Sequence, residues 1–319
     1  MEPAGTPASS RNAPHGAQTS SAQSLIDELL AKCTFPVAHT ELHCAVSGGA
    51  DSSALVILAV AAQCRVVAHH VDHGLRNGSG DEAAVVRTLA ARFGADFRSH
   101  VAVISPGSNL EARARNARYD LLPVEVATGH TLDDRAETAL INTLRGAARS
   151  GLSPLSSPYR HPISRLRRAD THGLCRALEV AVVCDPSNDD PRFVRNRVRH
   201  ELLPLMNDIS NRDVAMLLDR QADVLGDEDQ FLDELAAELD PTDAKAIAAA
   251  PPVLARRALR RFITSSWSRP HPPSADSVNR VLAVARGLTA SCQVEGGHSV
   301  HRTNQKLRLE FPMASVASQ

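Results

Sequence analysis

The sequence predicts an α/β fold, a doubly wound and mostly parallel sheet followed by a smaller, mainly helical C-terminal domain. Three observations predict it. Strand-like and helix-like stretches alternate between residues 42 and 184. The first strand breaks into a turn of two glycines and three hydroxyl side chains, Ser47-Gly48-Gly49-Ala50-Asp51-Ser52-Ser53, before a helix begins. Beyond residue 211 the alternation stops and helix-period segments take over. Sheets of this kind bind ligands beyond the C-terminal ends of their strands, and the glycine turn falls at such an end.

Taken in order, residues 42–46 form the first strand and residues 54–63 a helix. Residues 65–71, rich in Val and Ala, are the second strand. Residues 81–93 carry Val85, Val86, Leu89 and Phe93 on one helical stripe. Residues 97–104 alternate as a third strand. A helix over 110–122 is ended by Pro123. Residues 125–128 make a short fourth strand. Thr131 and Asp134 then stand at capping-box spacing and open a helix over 132–144. The apolar run 177–184, broken only by Glu179, reads as a fifth, buried strand. Further on, 213–239 is an acidic amphipathic helix, 243–266 and 274–286 are helices joined by a linker at 270–273, and 293–309 holds one hairpin. Residues 1–22 lack large apolar side chains and read as a disordered tail, not a secretory signal. The expected organisation is therefore a tail at 1–22, a nucleotide-binding domain at 23–211 and a helical accessory domain at 212–319.

Composition narrows the class. Among 319 residues, 43% are hydrophobic and 22% charged, as in soluble globular proteins, and no apolar run approaches membrane-spanning length. The net charge of −1 gives no general attraction to nucleic acid. Arginines nevertheless cluster at 160–168, 192–199 and 256–261, while acids concentrate at 219–243, and such segregation permits a basic face. Six scattered cysteines form no Cys-x-x-Cys pair, so neither a zinc ribbon nor an iron–sulfur signature is present. Cys44, Cys64 and Cys184 read as buried thiols, suited to a reducing cytoplasm.

The glycine turn carries the chemistry. Its backbone N–H groups and the following helix N-terminus form an anion nest, and Ser47, Ser52 and Ser53 add hydroxyl donors. Asp51 would repel phosphates unless a cation such as Mg²⁺ stands between them. The turn has neither the Gly-Lys-Ser/Thr of a Walker loop nor the three-glycine dinucleotide spacing. Two polar clusters follow other strands at the same edge. One comprises His69, His70, Asp72, His73 and Arg76, placed to orient a nucleotide, with zinc as a weaker alternative. The other is Gly129-His130-Thr131-Leu132-Asp133-Asp134-Arg135-Ala136-Glu137, whose acids share one side of a helix and would repel unless Mg²⁺ or a substrate ammonium lay between them. Arg192, Arg195 and Arg199 recur at helical spacing, so one face could follow an RNA backbone. Aromatic residues are only 3%, which disfavours base-stacking platforms and favours recognition of structured RNA through shape and phosphates.

Ser47-Gly48-Gly49-Ala50-Asp51-Ser52 resembles the pyrophosphate loop (PP-loop) of the N-type ATP pyrophosphatases, of adenine nucleotide alpha hydrolase-like fold. Further blocks resemble the tRNA(Ile)-lysidine synthetases: Asp72-His73-Gly74-Leu75-Arg76, Glu111-Ala112-Arg113 through Arg118-Tyr119, His130 to Thr138, and Asp185-Pro186-Ser187-Asn188 leading to Arg195-Asn196-Arg197-Val198-Arg199. The resemblance implies a cytoplasmic ligase that adenylates C2 of the wobble cytidine of CAU-anticodon tRNA(Ile), after which L-lysine displaces AMP and reading shifts from AUG to AUA. It implies ATP and Mg²⁺ held by Ser47, Gly48, Gly49, Ala50, Asp51 and Ser52, with Asp51 and Asp134 on the metal and His73 beside the nucleotide. Asp134 and Glu137 would serve the metal or the lysine ammonium. His130 would lie near the nucleotide, and Arg113, Arg195 and Arg199 near cytidine and triphosphate. Thr131 stands where such enzymes commonly have a second histidine. A homodimer is compatible with this reading. The rivals are a tRNA thiolase, which shares the loop but usually uses paired cysteines, and a non-catalytic nucleotide- or RNA-binding module, which would not need Asp51, Asp134 and Glu137.

Overall fold

The computed structural model describes residues 15–72, 79–102, 113, 117–147, 149–152, 160–185, 189–265 and 273–310. It opens with helix α1 (His15–Leu30), then β1 (Glu41–Ala45), α2 (Ala50–Ala61), β2 (Arg65–Asp72), α3 (Ser79–Phe93), β3 (Asp96–Val101), β4 (Ala127–Thr128) and α4 (Leu132–Leu144). From β1 to α4 the described strands and helices follow the expected order, whereas α1 covers residues 15–22, expected as part of a disordered tail, and α4 has the bounds that its capping signal marks. Of the helix expected over 110–122, residues 113 and 117–120 are helical, and its other positions up to 116 lie outside the described residues.

The four strands pair in parallel in the order β3-β2-β1-β4. Strands β1, β2 and β3 step one way across the sheet, and β4 returns to the other side of β1. The winding therefore reverses between β1 and β4, and a crevice opens at their C-terminal ends. Apolar strand and helix faces close the core. Leu55, Ile57 and Leu58 of α2 pack with Leu42 and Cys44 of β1 and with Leu29 of α1.

The fifth strand is not formed. Helix α5 (Arg149–Leu152) is followed by α6 (Arg168–Ala177), which takes up the start of the apolar run. Glu179 turns the chain in the left-handed region, at φ 49°. Residues 180–185 then pass the glycine turn, and Val183 N–H donates to the Gly48 carbonyl at 2.9 Å. An apolar run of this length fits a helix end plus one extended pass as well as it fits a strand. Cys184, expected to be buried, is exposed, whereas Cys44, Cys64 and Cys175 are buried.

Helix α7 (Val194–Arg197) runs into a π-helical turn at Val198–Leu202, then α8 (Leu203–Ser210) and α9 (Val214–Ala237). The contacts divide the chain into Met1–Asp223 and Val224–Gln319, a division inside α9. The second unit holds α10 (Ala244–Ala249), α11 (Pro252–Ser265) and α12 (Ala275–Ala285) around Ile247, Leu259, Ile263 and Val281. Pro251 and Pro252 divide the single helix expected over 243–266. In place of one hairpin, β5 (Ser291–Gln293), β6 (Ser299–Thr303) and β7 (Lys306–Glu310) make a three-stranded antiparallel sheet. Among the described residues no helix is long and apolar enough to cross a membrane.

Candidate active site

Two helices begin beside the crevice. Helix α2 is opened by Gly49, which has extended backbone (φ −70°, ψ 163°) and no side chain to cap the first turn. The N–H groups of that turn concentrate partial positive charge at the crevice. The turn in front is braced from within. Ser52 Oγ donates to the Gly49 carbonyl at 3.0 Å and accepts from Ser47 N–H at 3.2 Å. Gly48 has φ +87°, and a Cβ there would stand 2.8 Å from Val183 Cγ2, so the turn needs glycine on both counts.

Asp51 lies in the first turn of α2. Its Oδ1 accepts from the Thr171 hydroxyl, and its Oδ2 faces Arg168 Nε at 3.6 Å. Burial pushes its carboxyl above the ordinary range, against the pull of Thr171 and Arg168. The chain leaving β4 crosses this turn closely: a Cβ on Gly129 would stand 2.8 Å from the Asp51 carbonyl and from Ser52 N.

Helix α4, by contrast, starts with a closed capping box. Thr131 is its N-cap, and Asp134 completes the capping box, its Oδ2 accepting from Thr131 N–H at 2.8 Å. Asp134 Oδ1 accepts from Arg168 Nη2 at 3.0 Å. Burial opposes ionisation of Asp134, but Arg168, His130 and the Thr131 N–H outweigh it and hold the carboxyl below its usual range. Glu137, one turn on, is fully buried. It accepts two hydrogen bonds from Arg199, at 2.7 and 3.0 Å, and one from Arg168 at 3.1 Å. Arg195 donates to Thr138 Oγ1 at 2.7 Å and lies 3.7 Å from Glu137. Three guanidiniums (Arg168, Arg195, Arg199) thus balance three carboxylates (Asp51, Asp134, Glu137).

Asp133 faces the other way. It accepts from Arg167 Nη2 at 2.8 Å and from the Arg168 N–H at 2.7 Å, and so fastens α6 to α4. His130 Nδ1 is 2.6 Å from Thr128 Oγ1, which also lies 2.8 Å from His161 Nδ1. A hydroxyl has one proton, so at least one of these imidazoles donates to it. The two rings meet edge-on at 5.1 Å.

The crevice has a volume of about 740 Å³. Ser47, Gly49, Ala50, Asp51, Ser52, His130, Asp134, Arg195 and Arg199 line it. Gly48 supports the turn from behind. Glu137, expected at substrate, is sealed in an ion pair. Asp134, expected on the metal, has both oxygens engaged by its own helix cap and by arginine. Arg195 and Arg199, expected to present an RNA-tracking face with Arg192, turn toward α4, while Arg192 pairs with Asp190 outside that face. Arg113 is helical but is not among the described residues lining the crevice. His73 lies outside the described residues, as do Gly74, Leu75 and Arg76.

The PP-loop domain family matches residues 18–206. The chain is 38% identical over 282 residues to a tRNA(Ile)-lysidine synthase of Nocardia farcinica, covering 83% of this chain and 86% of that one. It is 38% identical over 284 residues to the enzyme of that name in Mycobacterium tuberculosis, covering 83% and 85%. The chain belongs to the tRNA(Ile)-lysidine synthase family. A U34-tRNA thiolase of Methanococcus maripaludis shares the fold, with a TM-score of 0.50 at 16% identity over 66% of this chain and 80% of that one.

Within this synthase fold, sequence reading missed Arg168 and Thr171, the two side chains that bind Asp51. The available signal was modest. Arg167 and Asp170 stand at the N-cap and third positions of α6; the Arg167 N–H donates to Asp170 Oδ2 at 2.8 Å and the Asp170 N–H donates to the Arg167 carbonyl at 2.9 Å, starting a helix that sets Arg168 and Thr171 against α2 and α4.

Proposed function

We propose that this enzyme joins L-lysine to C2 of the wobble cytidine of CAU-anticodon tRNA(Ile), with ATP as the activating substrate. The single observation that carries the reading is the open first turn of α2, with its uncapped N–H groups and half-buried Asp51 facing a crevice in a lysidine synthase chain. The N–H groups of Ala50, Asp51 and Ser52 suit the two outer phosphates of ATP, and Ser47 stands beside them with a hydroxyl, while Ser52 Oγ braces the turn.

Two features of the donor set bear on Mg²⁺. Asp51 is a partly desolvated carboxylate on the crevice wall, with one oxygen bonded by Thr171 and the other 3.6 Å from Arg168 Nε, beyond hydrogen-bond reach. The neutral balance of the arginine–carboxylate cluster leaves a triphosphate's charge without an excess of cations. Both facts fit Mg²⁺, which binds through one or two carboxylates together with phosphates and water. Asp51 would hold the ion, and Asp134 would reach it only by releasing Arg168. When bound, Mg²⁺ supplies charge neutralisation on the pyrophosphate leaving group.

The chain's own residues position the rest. The glycine turn fixes the outer phosphates so that the α phosphorus faces the cytidine O2, which attacks in line as pyrophosphate departs. Adenylation turns a poor leaving oxygen into AMP. Lysine then attacks C2 as a neutral amine, the C–N bond forms and AMP leaves with the former O2. Arg195, on the crevice rim with its side chain 40% exposed, is placed to meet the incoming nucleotide. The Val224–Gln319 unit would supply further tRNA contacts.

The test is pyrophosphate release from ATP with tRNA(Ile) and each amino acid in turn. Multiple-turnover release that needs both the tRNA and lysine, with AMP as co-product, is expected. Sulfide dependence, or accumulation of ADP, would overturn the reading in favour of a thiolase or a kinase.

A further inference from the structure

The end of β2 carries two neighbouring histidines with opposite status. His69 is bonded on both sides. Its Nε2 is 3.0 Å from His43 Nδ1 and its Nδ1 is 2.9 Å from His100 Nε2, so three imidazoles cross three strands in a row. Burial and the adjacent rings push its pKa down to about 4. His70 is different. Its Nδ1 is 2.9 Å from the Val46 carbonyl, and a carbonyl only accepts, so Nδ1 carries the proton and donates. In the neutral ring Nε2 is then an acceptor. His70 is 2% exposed, and its Nε2 is buried without a partner. It is also a lining residue of the crevice. A buried acceptor left unmet costs stability, and such atoms in a crevice mark where a ligand donor completes the set.

Its place in the fold says which part of the ligand this is. Val46 directly precedes the glycine turn, and β2 adjoins β1 on the side away from β4. On the β4 side, Gly129 presses on the Asp51 backbone and Arg168 fills the space between the carboxylates. A nucleotide with its phosphates on the first turn of α2 must therefore extend its nucleoside over β2. The donors of that half of ATP are the 2′-hydroxyl, the 3′-hydroxyl and the 6-amino group. We propose that His70 Nε2 accepts a hydrogen bond from one of these nucleoside donors and so helps to select ATP, an assignment that rests on the nucleotide site proposed above.

The experiment is equilibrium binding of nucleotides to the full chain with Mg²⁺ and without tRNA. ATP is compared with 2′-deoxy-ATP, 3′-deoxy-ATP and purine riboside triphosphate, which lacks the 6-amino group. Wild type should bind one of the three about tenfold more weakly than ATP. His70→Asn keeps a donor for the Val46 carbonyl and removes the Nε2 acceptor. It should bind ATP several-fold more weakly and lose that discrimination. His70→Gln, whose amide oxygen reaches the Nε2 position, should recover part of it. If no analogue binds wild type more weakly than ATP, or if His70→Asn, still folded by its melting curve, discriminates as wild type does, the proposal is overturned. Should His70→Asn not fold, His70→Gln decides: discrimination lost where the amide oxygen is present overturns the role. If ATP itself does not bind, the nucleotide reading fails, a result distinct from unchanged discrimination.

Discussion

The first turns of α2 and α4 follow neighbouring parallel strands, face one crevice and each carry an aspartate, yet they are built to opposite ends. The α4 turn is complete in itself. Thr131 caps it, Asp134 returns the bond, and guanidiniums satisfy the remaining carboxylate oxygens. The α2 turn is left open. Glycine caps it without a side chain, and desolvation of half-buried Asp51 raises its carboxyl against the pull of Thr171 and Arg168. The two carboxyls are shifted in opposite directions as a result. A completed helix end stabilises the fold. An incomplete one keeps its anion-binding N–H groups and its cation-seeking carboxylate for a ligand that carries both charges.

The comparison breaks first at Asp51. Asp51→Asn should reduce pyrophosphate release by roughly a thousandfold or more, on the order of losing a principal charge-stabilising group. Its melting temperature should stay level or rise, because burial disfavours the carboxylate that is removed. Turnover near wild type, or a chain that no longer folds, would erase the distinction drawn between the two turns.

Glu137→Ala tests the other side. It removes both hydrogen bonds that Glu137 accepts from Arg199 and one of the bonds made by Arg168, and should cost about 3–5 kcal/mol in urea unfolding. A loss below about 1 kcal/mol would mean that the cluster belongs to ligand binding and not to the fold.

Acid titration sharpens the α4 side further. The folded pKa of Asp134 lies below its unfolded value, so its stabilisation is present above the ordinary carboxylate pKa and lost as pH falls through the folded value. Asp134→Asn should therefore be less stable than wild type at pH 7, by about 1–3 kcal/mol. The gap should shrink as pH drops below about 4, the ordinary carboxylate pKa. Urea melts at pH 7 and pH 3 with an unchanged gap would contradict this assignment.

The smallest effect comes from converting one turn into the other. Gly49 has negative φ, and a Cβ there meets nothing nearer than 3.6 Å. Gly49→Ser should stabilise the ligand-free protein by a few tenths of a kcal/mol through a new N-cap, and should weaken ATP binding several-fold as its hydroxyl competes for the same N–H groups. Tighter ATP binding by this variant would refute the open-turn account.

Much of this was legible in the residues. The alternation of periods two and 3.6 marks β1 to α4, because burying one face of each element leaves that period in the sequence. The capping box of Thr131 and Asp134 marks the start of α4 to the residue, because the signal is local. The apolar run 177–184 reads as a buried strand, yet its residues are half-buried or exposed, because hydrophobicity alone fixes neither burial nor hydrogen-bond partners. The arginine partners of Asp134 and Glu137 were hidden for a related reason. A cluster of acids looks like a cation site until its partners are known, and Arg168 lies thirty or more positions away from all three carboxylates.

The sequence by itself determined the parallel α/β scaffold, the glycine turn at a strand end, and the family, since periodicity and motif spacing are properties of the chain. Only the tertiary structure decided which carboxylates meet arginine and which face the crevice, and that His70 keeps one nitrogen unmatched. Charge pairing and desolvation depend on distances between segments remote in sequence, and folding alone sets those distances.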